Sequence, residues 1–388
     1  LGLDTLIGSR RSGERDLVVA MVAARILKPQ SKLATTRWWA NTTLTEMLGV
    51  GQTDEDELYE VMDWLLEHQA HIEKKLAARH LADGGLALYD LTSSYFEGVT
   101  CPLAEFGYNR DGKKGKLQVN YGLLTNQQGI PVAVSVFKGN SGDPKTLLPQ
   151  VDKMRTEFSI KQFVLVGDRG MITQKQVDAL RDIEGCGWIS ALRPGAINKL
   201  VTSGSIQMGL FDERNLFELA HPDFPGERLI ACRNPELAER RAAKRIALLE
   251  ATTRELDQVS RMVSRGRLHG KETIDTQVGR ILKQYKVGKH FVLHITDDSF
   301  RFEIHREAVD AEAALDGIYV VRSSVSTETM DTDQTVRSYK LLSNVEHAFR
   351  CLKSVDLMVR PIRHRLEDRV RAHIFLCMLG ILSNASGR

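Results

Sequence analysis

Leu86-Ala-Leu-Tyr-Asp-Leu-Thr-Ser-Ser-Tyr95 is the stretch around which the rest of the chain can be arranged. Its short apolar residues are typical of a buried strand, and the hydroxyl residues after Asp90 indicate that the strand opens into a polar pocket. A carboxylate there is either a hydrogen-bonded cap for the next turn or part of a metal site. Taken alone, Asp90 fits the cap better, because Asp before Ser and Thr is common in turns.

The pattern returns at Phe163-Val-Leu-Val-Gly-Asp-Arg-Gly-Met171, where an apolar strand again ends on one carboxylate, Asp168. A third carboxylate, Glu346, lies far downstream in the segment 339–353, whose apolar residues share one helical face. A helix packed on a sheet by that face would point Glu346 inward from the edge of the buried surface. Alone, Glu346 also fits a surface residue paired with Arg350. We nevertheless predict that Asp90, Asp168 and Glu346 meet around magnesium.

Three carboxylates from separate elements suit the cleavage of phosphodiester bonds. That reaction needs a reactive water or hydroxyl and a stabilised leaving alkoxide, and two Mg²⁺ ions about 3.5–4 Å apart provide both. Magnesium prefers oxygen ligands, and carboxylates at strand ends leave coordination positions open for substrate. We expect Asp90, Asp168 and Glu346 to be the catalytic residues and the ligands of two Mg²⁺ ions, for which Mn²⁺ can substitute.

The composition of the 388 residues is that of a soluble globular protein with two or three domains, at 42% hydrophobic and 27% charged residues. The longest apolar run, Ile374 to Leu382, is too short to span a bilayer, and no secretory leader is visible. The chain begins at Leu1 rather than Met, which leaves room for a segment upstream. Five cysteines without metal-binding spacing disfavour a disulfide framework or a zinc site and indicate a reducing cytoplasm.

Four segments follow one another along the chain. Residues 1–82 have helical apolar spacing and are expected to form a small helical domain that binds DNA or dimerises. Residues 83–192 alternate strands, a hairpin and helices, which predicts a mixed sheet with flanking helices. Residues 193–330 contain one long charged helix, Glu236 to Val263, and short strand-like pieces, and are predicted to form an α+β insertion domain. Residues 331–388 return to the core with the helix that carries Glu346.

Together these motifs resemble a known family. The sequences Tyr89-Asp90-Leu-Thr-Ser and Val166-Gly-Asp168-Arg-Gly-Met and the series Tyr339, Glu346, Lys353 resemble the DDE transposases of bacterial insertion sequences. The resembled branch carries a β-rich insertion, and the resemblance covers nearly the whole chain from residue 81 onward. It implies an α/β fold with an RNase H-like mixed sheet and flanking helices, interrupted by the insertion domain. It also implies that the three acids form the metal-binding triad.

The resemblance further implies residues that contact DNA. Tyr339 and Lys353 match a Tyr-Arg-Glu-Lys signature, whose basic positions hold phosphates of the transposon end. Leu342 stands where that signature has Arg, and Arg350, one turn past Glu346, is expected to compensate. The net charge is only +3, but basic residues gather at 110–116 and 353–371, which fits either a solvated face or a phosphate-binding surface. The residues expected to contact DNA are Tyr339, Arg350, Lys353, Lys113, Lys114, Arg169, Arg360 and Arg363.

The function implied by the resemblance is that of a bacterial insertion-sequence transposase, which cleaves DNA at transposon ends and transfers the strand into target DNA. Its partners would be the terminal inverted repeats and the target DNA, bound by a homodimer, with no membrane partner. Its location would be the bacterial cytoplasm, at the nucleoid when acting. Two alternatives stay open: a catalytically inactive or domesticated DNA-binding relative, and another RNase H-like nuclease. The intact triad favours activity, because a decayed site has no reason to keep all three acids.

Overall fold

The structure, a computed structural model, describes residues 2–354 and 356–385. The chain forms two compact units. The first contains the chain up to Ala191, the short piece Gly226–Arg228, and everything from Arg322 onward. The second contains Leu192–Pro225 and Leu229–Val321. The first unit therefore carries all three predicted acids, and the second occupies the interval in which an insertion is predicted.

Fifteen α-helices and ten strands are described, together with short 3₁₀ turns. Up to Ala191 they are α1 (Leu3–Ile7), α2 (Gly13–Leu27), α3 (Lys32–Trp39), α4 (Leu44–Leu48), α5 (Glu55–Glu67), α6 (Gln69–His80), β1 (Gly85–Tyr95), β2 (Gln118–Thr125), β3 (Pro131–Lys138), α7 (Leu147–Thr156), β4 (Phe163–Val166), α8 (Gln174–Arg181) and β5 (Cys186–Ala191). The next part contains α9 (Pro194–Thr202), β6 (Leu216–Leu219), β7 (Arg228–Arg233), α10 (Pro235–Ser264), α11 (Lys271–Tyr285), β8 (Phe291–Ile295), β9 (Phe300–Ile304), α12 (Arg306–Ala313) and β10 (Ile318–Ser323). The last part contains α13 (Thr332–Lys340), α14 (Leu342–Lys353) and α15 (Glu367–Ala385).

The sheet of the first unit has the strand order β3-β2-β1-β4-β5. The strands β1, β2 and β3 are antiparallel neighbours, whereas β1, β4 and β5 run parallel. The helices α6 and α15 pack on β3, and α14 packs on β1. This mixed sheet with flanking helices is the predicted RNase H-like fold, which is thereby confirmed. None of the helices in the described ranges combines the length and the apolar character needed to cross a membrane.

Tyr89 fixes how β1 faces its surroundings. Its side chain is fully buried and packs over Gly122 of β2, where a Cβ atom would come within 2.2 Å of the Tyr89 hydroxyl. Only glycine leaves room for this ring. Because successive side chains of a strand point to opposite faces, anchoring Tyr89 on one face turns the next residue, Asp90, to the other.

Two predicted helices are each divided in two. The apolar stripe predicted to run from Leu58 to Leu76 is split at His68, between α5 and α6. The His68 ring stacks on Trp64 at 3.9 Å, and its Nδ1 atom lies 2.8 Å from the Trp64 carbonyl oxygen, which competes with the regular helical bonding. The prediction of one helix over 339–353 is also wrong, because α13 ends at Lys340 and α14 begins at Leu342.

The second unit has its own sheet strands and its own apolar cores. Its strands β10, β7 and β6 are neighbours in that order, and β8 and β9 form a separate two-stranded sheet. The predicted long charged helix is α10, which packs against α11 through Leu256, Val259 and Val278. The unit is thus a self-contained α+β body.

A buried ion pair closes the first unit where its separate chain segments meet. The Glu227 carboxylate accepts bonds from Arg322 Nε at 2.7 Å and Nη2 at 2.6 Å, and from Arg181 Nη2 at 3.0 Å. The side chains of Glu227 and Arg322 are only 1% and 6% exposed. The Arg322 guanidinium also lies 5.2 Å from the centre of the Trp188 ring. Three segments that are distant in sequence are therefore held by one carboxylate.

We predict that Glu227→Gln lowers the free energy of unfolding by about 3–5 kcal/mol, because it leaves Arg322 buried without its charge partner. The double variant Glu227→Gln/Arg322→Met should lose less than the sum of the two single variants, since it leaves no orphaned charge. Urea denaturation followed by tryptophan fluorescence measures both. The matched control is Asp178→Asn, because Asp178 contacts the same Arg181 at 3.6 Å but is 59% exposed. A loss equal to that of this control would contradict the prediction.

Candidate active site

Asp90 and Asp168 are brought side by side by the pairing of two parallel strands. In the register of β1 and β4, Leu88 is the partner of Val166. Each aspartate stands two residues beyond its member of this pair. Because the side-chain period of a strand is two, both carboxylates project toward the face on which Leu88 and Val166 lie.

The chain leaves the sheet immediately after Val166, and Asp168 organises the turn that follows. One of its carboxylate oxygens accepts hydrogen bonds from the backbone N–H groups of Gly170 and Met171, both at 2.8 Å. Its backbone carbonyl accepts a bond from the Ser190 hydroxyl at 3.1 Å. Asp168 therefore acts as the turn acid that its sequence context allows, while its second carboxylate oxygen forms none of these bonds.

Glu346 is held by the helix α14, which packs on β1 through buried apolar residues. The ring of Phe349 meets the Tyr121 ring edge-on, with 6.0 Å between the ring centres. Leu342, at the position where the family signature has Arg, is also buried. Glu346 itself is exposed on the border of this packed face, as its position in the apolar pattern predicts.

A cavity of about 530 Å³ in the first unit contains all three acids. Asp90, Asp168 and Glu346 line it together with two more acids and four basic side chains. These additional charged residues are Asp111, Asp143, Arg110, Arg350, Lys353 and Arg360. The cavity thus combines clustered carboxylates with cations that suit the phosphates of a nucleic acid.

The electrostatics of the cavity show how close the acids are to one another. Burial raises the pKa of Asp90 to about 7, and the negative charges of Asp168 and Asp143 raise it further against the opposing Leu91 N–H and Arg110. The pKa of Tyr339 is raised to about 12, mainly by burial and then by the charges of Asp168, Asp90 and Glu346. Tyr339 therefore lies within the field of the whole triad, although it is carried by a different helix from Glu346.

These residues fit a divalent cation by their chemistry. They supply carboxylate oxygens, the ligands that Mg²⁺ and Mn²⁺ prefer, and the crowded negative charge around Asp90 is what a cation would neutralise. In the described ranges, no group of three or more His, Cys, Asp and Glu side chains is already gathered closely enough to hold a metal ion. The acids line one cavity without converging on a single point.

Asp111 is a residue of this site that the sequence did not single out. Its side chain, 2% exposed, accepts bonds from Lys353 Nζ at 2.9 Å and from Arg360, and its other oxygen accepts the Tyr95 backbone N–H at 3.0 Å. Burial lowers the pKa of Lys353, while the charge of Asp111 opposes that effect. Two of the cations expected to contact DNA are thus already paired with an acid of the protein.

The pair Arg110–Asp143 was missed as well, with 2.5 Å between Arg110 Nη2 and Asp143 Oδ1. Asp143 precedes Pro144, so its sequence indicates only a helix start, which hides its role in the cavity. Asp111 carried a weak signal, because it is the single acid in the basic run from Arg110 to Lys116. A lone acid among cations is expected to pair with some of them.

The other predicted DNA contacts lie at different places on the first unit. Arg350 is exposed on the cavity wall, with its Nη2 atom 3.5 Å from His347 Nδ1. Arg363 is paired with Glu97 at 3.0 Å. The structure leaves the remaining three on the surface, outside the residues that line the cavity: Lys113, Lys114 and Arg169.

We predict that Asp111→Asn lowers the free energy of unfolding by about 3–5 kcal/mol, because it leaves two partly buried cations without their acid. Lys353→Met should cost less, since Asp111 keeps Arg360 as a partner. Chemical denaturation of both variants provides the ranking. The control is Glu97→Gln, whose exposed pair with Arg363 should contribute less than about 1 kcal/mol. The reverse order of Asp111→Asn and Lys353→Met would contradict the assignment.

Comparison with known proteins identifies the family. The family model described as "Transposase DDE domain" matches residues 88–382. Among solved structures, the piggyBac transposase synaptic complex with hairpin DNA is distantly similar, at 9% identity and a TM-score of 0.45 over 98% of this chain and 70% of that one. The Mos1 transposase paired-end complex with the left transposon end shares 9% identity, with a TM-score of 0.21 over 50% of this chain and 62% of that one. No curated protein matches the chain. Because the family model spans most of the chain, including the segments of all three acids, the protein belongs to the DDE transposase family.

Proposed function

We propose that this protein cleaves DNA at the ends of a bacterial insertion sequence and joins those ends to target DNA, with Asp90, Asp168 and Glu346 as its catalytic triad. The observation that supports the proposal is the register of β1 and β4, which aligns two of the acids beside a cavity that the third also lines. A chain that merely bound DNA would not need three carboxylates at the centre of a basic surface, because they repel phosphates.

Asp90, Asp168 and Glu346 would hold two divalent ions, Mg²⁺ or Mn²⁺. When bound, such ions supply activation of the attacking oxygen and stabilisation of the leaving oxygen. The carboxylates must be ionised to bind metal, so the field that raises the pKa of Asp90 makes metal binding and proton release parts of one process.

The other residues of the cavity would position the DNA. In the first step water attacks the phosphorus at the transposon end, and the bond to the 3′-oxygen breaks, which leaves a 3′-hydroxyl. In the second step that hydroxyl attacks a target phosphodiester, forming a new bond to phosphorus while the target's own 3′-oxygen leaves. Arg350, Lys353 and Arg360 would hold the phosphates on either side, with Arg350 in place of the signature Arg that Leu342 replaces.

The assembly that fits this function is a homodimer on DNA, because both ends of the element must be cut and joined together. Arg169, Lys113 and Lys114 would contact the flanking backbone, and the helical segment 1–82 would contribute to DNA binding or dimerisation. The bacterial cytoplasm is the proposed location. Its reducing conditions suit the five cysteines, all of which are free thiols.

The first test is catalytic. Asp90→Asn, Asp168→Asn and Glu346→Gln should each abolish Mg²⁺-dependent nicking of candidate terminal-repeat DNA, since only metal binding needs the charge at all three places. Thermal denaturation gives a second readout: added Mg²⁺ should raise the Tm of the wild type and leave that of each variant unchanged. EDTA should remove both effects.

The matched control is Asp152→Asn, which removes an exposed acid of the same unit outside the cavity. It should nick DNA as the wild type does. Near wild-type nicking by any of the three triad variants would refute the triad. A wild type that binds the repeats and responds to Mg²⁺ but never nicks them would favour an inactive DNA-binding relative.

A further prediction concerns the basic residues beside the triad. Arg350→Ala and Arg365→Ala, which remove exposed cations, should each flatten the dependence of log affinity on log salt by about one unit. Lys353→Ala should change the slope less, because DNA must first displace Asp111 from Lys353. Fluorescence anisotropy across a salt series measures the slopes. Arg240→Ala, on the exposed side of α10, is the control, and an Arg350→Ala slope equal to that of the control would contradict the assignment.

A further inference from the structure

A second cavity of the first unit, of about 270 Å³, has a strongly basic lining. It lies among α2, α3, the segment after α14, and α15. None of the described residues that line it is Asp or Glu. Its charged and titratable side chains are Arg25, Lys32, Arg360, Arg363, His364 and His373. We call this the basic cavity.

Two of its cations are buried without an acidic partner. Lys32 is 8% exposed and Arg25 is 9% exposed. Arg25 donates to the backbone carbonyls of Gln30 at 3.1 Å and Met358 at 3.3 Å, but its Nε atom has no partner. Lys32 forms no hydrogen bond or ion pair with any described residue, so nothing within the fold accounts for its charge. A buried charge without a counter-charge costs free energy, which indicates a missing anion.

The surroundings of Lys32 also favour an anion. Burial, and then the charge of Arg25, lowers the pKa of Lys32 to about 7. Burial and the same cations lower the pKa of His373, whose Nδ1 atom is buried without a partner. Lys32 is the first residue of α3, and the N-terminus of that helix faces the cavity with Ser31. Helix N-termini attract anions through their free N–H groups and the helix dipole.

We propose that the basic cavity binds a phosphate group, held by Lys32, Arg25 and His373, and that this phosphate belongs to the backbone of the bound DNA. Phosphate is a compact oxyanion whose oxygens accept from several donors at once, as this lining requires. Arg360 lines both the basic cavity and the cavity of the triad, so one strand can reach from one to the other. The assignment to DNA rests on the proposed function, whereas the binding of phosphate does not.

The first arm of the test uses inorganic phosphate and the full-length chain without DNA. Sodium phosphate should raise the Tm more than sodium chloride of equal ionic strength. Lys32→Met should abolish this extra rise, and in chloride its Tm should equal or exceed that of the wild type, because an unpaired buried charge is gone. Lys28→Met is the control, since Lys28 is exposed beside the same turn but does not line the cavity. An undiminished phosphate effect in Lys32→Met would overturn the proposal.

If Lys32→Met does not fold, Lys32→Gln and Arg25→Gln take its place with the same expected loss. The second arm measures affinity for terminal-repeat DNA across a salt series in EDTA, where no cleavage can occur. Lys32→Met should flatten the slope by about one unit, and Lys28→Met should not. Phosphate binding with an unchanged DNA slope would overturn the assignment to DNA and leave a site for a free anion. Because neither arm requires cleavage, failure of the proposed transposase activity is separable from failure of this site.

Discussion

The parallel pairing of β1 with β4 is the constraint on which the candidate site depends. A shift of one residue in this register would send Asp90 or Asp168 to the opposite face of the sheet and separate the two carboxylates. The register is fixed by apolar contacts on both faces, and Tyr89 over Gly122 prevents β1 from turning. Packing thereby holds two negative charges together against their repulsion, and the raised pKa of Asp90 shows the result. The energy comes from the core and is stored at the site.

The charges of the cavity are arranged as neutralised groups around this unneutralised centre. Arg110 is paired with Asp143, and Asp111 is paired with Lys353 and Arg360. These pairs keep the cations ordered and close to the triad in the absence of a ligand. They also mean that a phosphate must compete with Asp111, so weak contacts with arbitrary polyanions gain little. The basic cavity differs, because its cations have no acid to displace.

Sequence reasoning reached the elements whose signals are local. The apolar strands before Asp90 and Asp168, the hairpin of β2 and β3, and the helix α10 follow from periodicity and turn residues, and the RNase H-like fold follows from their order. The break at Leu341 was missed because apolar spacing continues across it. Asp111, Asp143 and Lys32 were missed for another reason: their roles come from partners distant in sequence, or from the lack of one. The family resemblance located the triad, but burial and pairing became visible only in three dimensions.

Arg360 has a consequence for the thermodynamics of the two cavities, because it lines both. An anion that attracts Arg360 in the basic cavity weakens its bond with Asp111 and makes the cavity of the triad more negative. A more negative triad binds divalent cations more tightly, and linkage requires the reverse effect to be equal. Strand and metal would then bind cooperatively through the position of a single guanidinium, without any helix having to move.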